Sequence, residues 1–131
     1  FEQAGNSVKG IMGGMGGRFL TDEYRRGSCG TMPAGHITDA HVKLWKALDT
    51  GGVDHEGLQV VTDEARGIWE HMIPSLNFEF LFGVNAYKAV YWRRGIIKTP
   101  LTRNPANKTL DRFDYEELDV ILDRMSDLLD R

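Results

Sequence analysis

The run Gly13-Gly14-Met15-Gly16-Gly17-Arg18 is the part of this sequence best suited to chemistry. Glycines leave backbone N–H groups uncovered, so such a loop can approach the carboxylate or hydroxyl oxygens of a small molecule. Arg18 can pair with a carboxylate through its planar fork. The structural alternatives are a tight turn and a surface ion pair. A dinucleotide loop fits poorly, because Gly14-x-Gly16 is followed by Phe19 where that fingerprint needs glycine, and no Gly-Lys-Ser/Thr occurs. Lys9 is a candidate nucleophile toward a ketone. His36, His41, His55 and His71 lack zinc-ligand spacing, and Glu70-His71 has no second histidine four residues away, so no metal is expected. Cys29, the single cysteine, has no recognisable nucleophile context and reads as a buried, inert thiol.

Composition narrows the function classes. The chain has 131 residues, 41% of them hydrophobic and 27% charged, enough for one soluble core and too apolar for disorder. Its formal charge of -3 speaks against nucleic acid. Lys88, Arg93, Arg94, Lys98, Arg103 and Lys108 are a loose basic stretch without a reading motif, and fit a solvated face or an oligomer contact. No apolar run approaches the roughly 20 residues needed to cross a bilayer, so no membrane contact is expected. A lone cysteine and the absence of a signal peptide favour the cytoplasm. The first residue is Phe1 and not Met, so the chain reads as a fragment or processed piece.

The elements that would position these residues are legible as patterns. Residues 8–12 are short and apolar and empty into the glycine loop, as a buried strand would. A short helix from Leu20 follows, with acids early, arginines late and Gly27 at its stop, and residues 30–34 read as a second strand. Strand, loop, helix and strand in so little sequence predict a parallel βαβ crossover. Four more helices are expected. Thr38 and Asp39 cap one that bears Val42, Trp45 and Leu48 and stops at Gly51-Gly52. The next carries Leu58, Val61, Ala65, Ile68 and Met72, with Pro74 bending or ending it. A third runs from about Asn85 to Arg94, closed by Gly95, before an extended loop over residues 100–108. In the last, Asp114 and Glu117 resemble a capping box ahead of the stripe Tyr115, Leu118, Leu122, Met125 and Leu129. A parallel pair of strands needs neighbours on its edges and helices on its faces, so the pattern predicts the closing end of a (β/α)8 barrel followed by a helical extension.

Gly13-Gly14-Met15-Gly16-Gly17-Arg18-Phe19-Leu20, followed by Arg26-Gly27-Ser28-Cys29-Gly30-Thr31-Met32-Pro33-Ala34, resembles strands seven and eight of the dihydrodipicolinate synthase and N-acetylneuraminate lyase family. The likeness continues through Ala86-Tyr87-Lys88-Ala89-Val90, Gly95, Pro100 and Pro105. The Gly-Gly-Arg-Phe-Leu run is more similar to members acting on 2-keto-3-deoxy sugar acids.

The resemblance implies an α/β fold, a C-terminal piece of the (β/α)8 TIM barrel. Residues 1–52 would supply strands seven and eight with their helices, and 53–131 the remaining barrel end and the helical extension. It implies aldol cleavage or dehydration of a 2-keto acid through a lysine Schiff base. That lysine would lie upstream of this chain, which sets Lys9 aside. The substrate-binding residues would be Gly13, Gly14, Gly16, Gly17, Arg18, Thr31 and Met32, with the backbone carbonyl of Met32 near the reacting centre. No cofactor is implied. The full-length protein would be a homo-oligomer, a dimer or tetramer, and this chain alone inactive. The alternative is a stand-alone helical interaction module whose stripes over residues 58–72 and 115–129 bind partner helices.

Overall fold

A computed structural model describes residues 7–103 and 108–130. Five α-helices dominate: α1 (Leu20–Arg25), α2 (Thr38–Asp49), α3 (Asp63–Phe82), α4 (Val84–Arg93) and α5 (Arg112–Arg124). Short 3-10 turns at Met15–Gly17 and Gly35–Ile37 lead into α1 and α2.

α3 and α5 start where a side chain satisfies their free amides, whereas α2 begins at Thr38 without the side-chain cap expected of Thr38 and Asp39. The Thr62 hydroxyl accepts from the Ala65 N–H at 3.1 Å, which starts α3 well past Leu58 and leaves that leucine exposed. Asp111 accepts from the N–H groups of Phe113 and Asp114, and Asp114 reaches back to the Asp111 N–H at 2.8 Å. This reciprocal box lies three residues ahead of the expected one. Pro74 does not end α3, which runs on to Phe82. Gly83 closes it in a left-handed conformation (φ 55°) and α4 begins at once.

The core is built around α3, which touches α1, α2, α4 and α5. Leu20, Ile37, Leu44, Leu48, Met72, Leu76, Leu118 and Met125 are almost wholly buried. Each such side chain contributes on the order of 2 kcal/mol by leaving water. The stripes expected on α3 and α5 are thus consumed internally: Ala65 and Met72 face the same core as Leu118 and Met125. On α2 the inward face is Ala40, His41, Leu44, Ala47 and Leu48, and Val42 is exposed. A part-buried node joins three places in the chain. Arg94 pairs with Asp39, donates to the carbonyls of His36 (2.7 Å) and Asp130 (2.8 Å), and Asp39 accepts from the Asp130 N–H at 2.7 Å.

The barrel-fragment expectation is overturned. The described residues are largely helical and hold no sheet; where strands were expected at 8–12 and 30–34, one isolated parallel bridge joins Gly13 to Thr31. The reason is in the neighbours. A lone parallel pair has unpaired edges on both sides, and Val8, Ile11, Met12 and Met32 stand exposed instead of between layers. Pro105 of the expected loop lies outside the described residues.

Candidate functional site

The glycine loop is stitched to the segment after α1 by backbone bonds. Gly13 N–H donates to the Gly30 carbonyl at 2.8 Å, and Met32 N–H to the Gly13 carbonyl at 3.0 Å. The loop then turns inward, with Met15, Gly16 and Gly17 all at positive φ (53°, 68° and 84°). Met15 is the one described non-glycine residue in that region, a conformation that costs on the order of 1 kcal/mol for a side chain of its size. Space as well as φ demands glycine next. A Cβ on Gly16 would sit 2.7 Å from Glu79 Oε1, and one on Gly17 would sit 2.8 Å from His41 Nε2. His41 holds the loop from behind, its Nε2 2.8 Å from the Gly16 carbonyl and its Nδ1 3.1 Å from the Ile37 carbonyl.

Arg18 leaves the loop toward α3. Its Nη2 donates to the Leu76 carbonyl at 2.6 Å, its guanidinium lies 4.4 Å from the Phe80 ring centre, and its carbonyl accepts from the Trp69 indole at 3.2 Å. The Arg18 Nε is buried with no partner among the described residues. In front of it opens a pocket of about 400 Å³, whose walls are Met15, Gly16 and Arg18, then Met32, Pro33 and Ala34, then Leu76, Glu79, Phe80, Gly83 and Tyr87.

At the back of this pocket sits a buried polar cluster. The Tyr87 hydroxyl donates to Glu79 Oε1 at 3.3 Å. Glu79 Oε2 is 3.5 Å from His36 Nε2 without forming a hydrogen bond, and Oε2 and His36 Nδ1 have no hydrogen-bond partner among the described residues. Burial pushes the Glu79 carboxyl above its usual range, against the Tyr87 hydrogen bond and the charge of Arg18. Burial also drops His36 to about 4, with the neighbouring His41 and Arg94 acting in the same direction. Tyr87 is raised by burial and by the Glu79 charge. Burial thus acts against the charged form of both Glu79 and His36.

Of the sequence-derived site residues, Gly16, Arg18 and Met32 line this pocket together, although Arg18 and Met32 come from opposite sides of α1. Gly13, Gly17 and Thr31 stand behind it as supports, and Thr31 Oγ1 is buried without a partner. Gly14 is exposed, with nothing near the place of its missing Cβ. Lys9 is exposed and does not line it, and Cys29, expected to be buried, is an exposed thiol. Glu79, Tyr87 and His36 were not found by pattern. One signal was present: Glu79 is the lone charge in Ile73-Pro74-Ser75-Leu76-Asn77-Phe78-Glu79-Phe80-Leu81-Phe82, where a carboxylate must have a reason.

No family model, curated protein or solved structure matches this chain. The site is therefore read from its own geometry. Among the described residues no group of three or more His, Cys, Asp and Glu side chains could hold a metal ion, and no helix is long and apolar enough to cross a membrane. Two roomier concavities, of about 520 and 690 Å³, lie along α5 and gather mostly exposed side chains.

Proposed function

We propose that this chain forms the acid-binding wall of a 2-keto acid lyase, an aldolase or dehydratase working through a lysine Schiff base that these residues do not supply. The observation that carries the reading is the meeting of Gly16, Arg18 and Met32 in one pocket beside Glu79 and Tyr87. A glycine loop and a guanidinium suit a substrate carboxylate, while a protonatable carboxyl suits the proton movements that accompany imine chemistry. A 2-keto-3-deoxy sugar acid fits the polar depth of the pocket. The working protein is proposed to be a cytoplasmic homo-oligomer, for which the free exposed thiol of Cys29 is suited to a reducing compartment. The interaction-module alternative loses its main support, since its two stripes are already packed on each other.

Borohydride trapping tests the proposal. The chain is mixed with pyruvate and reductant, alone and joined to whatever coding sequence lies upstream. The expected result is no adduct on the chain alone and one on a lysine of the upstream sequence. A reduced adduct on Lys9, or a start codon close to Phe1 with no trapping at all, would overturn it.

A further inference from the structure

We propose that Glu79 and Tyr87 form a hydroxyl-binding subsite, so that the pocket takes a hydroxy carboxylic acid with its carboxylate at Arg18 and its hydroxyl at Glu79. The inference rests on reading the pocket as acid-binding and names the second half of the ligand. Glu79 is 8% exposed and its Oε2 has no hydrogen-bond partner among the described residues, although it lines an open pocket. A buried carboxyl oxygen left in that state is costly, and a ligand hydroxyl would satisfy it. Oε1 is engaged by Tyr87, so the carboxyl is held in place, and Oε2, 3.5 Å from His36 Nε2 without a hydrogen bond to it, is the end left for a ligand. His36, packed against the Tyr87 ring at 5.1 Å between centres, closes the cluster from behind.

Charge and shape narrow the ligand. Arg18 is the one cation lining the pocket, and its buried Nε is likewise unpartnered, so a single negative charge is matched and a second would meet Glu79. The same pocket is lined by Met15, Met32 and Phe80, which suit carbon and not further charge. Burial raises the Glu79 carboxyl, which donates to a hydroxyl oxygen when protonated and accepts from the hydroxyl hydrogen when ionised.

Three small probes separate the halves of the site: glycerate, with carboxylate and hydroxyls; propionate, with carboxylate only; and glycerol, with hydroxyls only. Binding to the 131-residue chain is followed by NMR at the Gly16 amide and at the Trp69 indole N–H, which donates to Arg18. Glycerate is expected to shift both signals, with propionate and glycerol each about tenfold weaker, the worth of one well-made polar contact. Glu79→Met should reduce glycerate to the propionate level and leave propionate unchanged. Where that variant does not fold, Tyr87→Phe, which keeps the ring on His36, should shrink the preference for glycerate. No glycerate binding, equal binding of glycerate and propionate, or an unchanged preference in the variant that folds would overturn the subsite. The trapping experiment reads a different event, so its failure leaves this result standing, and the reverse.

Discussion

Glu79 and His36 are two groups whose surroundings oppose their usual charges, and the signs of their effects on stability differ. With His36 near 4 in the folded chain against 6.5 unfolded, the unfolded chain takes up a proton first as the pH falls between those values. Stability therefore declines through that window, by up to about 3 kcal/mol at its acid end. Glu79 acts oppositely: its folded carboxyl keeps a proton above 4.5 that the unfolded chain gives up, so its contribution is present at acid pH and lost as the pH rises. Arg18, Tyr87, His41, Arg94 and Asp39 face the pair and set the balance. His36→Gln should flatten the loss of stability between pH 6.5 and 4, and Glu79→Gln should flatten the loss on the alkaline side, both read from urea midpoints. An unaltered acid limb in His36→Gln would show that His36 is not the buried neutral base. Bulk at Gly16 is a different matter, because its Cβ would press on Glu79 and the fold would suffer along with the pocket.

Helices were the legible elements, since capping and a three-to-four spacing are local properties that a sequence displays directly. All five expected helices exist, yet the starts of α3 and α5 moved to the side chains with the geometry to cap, Thr62 and Asp111. Asp111 and not Asp114 begins α5, and removing it tests the assignment. Asp111→Ala should cost about 1 kcal/mol in denaturant unfolding, and Glu117→Gln, at the other expected box position, less than about 0.5 kcal/mol. Equal losses would return the cap to Asp114. Pro74 was expected to bend or stop α3, and its survival inside the helix is what carries Leu76, Glu79 and Phe80 onto the pocket wall. Glu79 and Tyr87 were illegible as a site for the same reason that their helices were legible: their meeting with Arg18 depends on how three separate elements pack, which no local spacing encodes.

At the scale of the molecule, the two expected strands failed because a strand is stabilised by partners elsewhere in the chain, and residues 8–12 and 30–34 have only each other. What remains is an apolar rim of Ile11, Met12, Met15, Met32 and Phe80, every one of them at least half exposed. Exposed backbone edges and apolar side chains together favour association. Sedimentation at rising concentration should show the chain self-associating, and Met32→Lys with Phe80→Lys should weaken this. A compact monomer at all concentrations would mean that the rim is harmless.

The node of Arg94, Asp39 and Asp130 gives the end of the described chain an unusual use. An amide outside the helices would ordinarily exchange its hydrogen nearly as fast as a free peptide does. The Asp130 N–H, however, is held by a carboxylate 91 positions earlier, whose partner Arg94 also grips the carbonyl of His36 at the pocket's back wall. Its exchange rate is thus a natural label for the integrity of that wall. Slow exchange in the intact chain and fast exchange in Asp39→Asn, measured at this one amide, would report whether the pocket is assembled without any ligand being added.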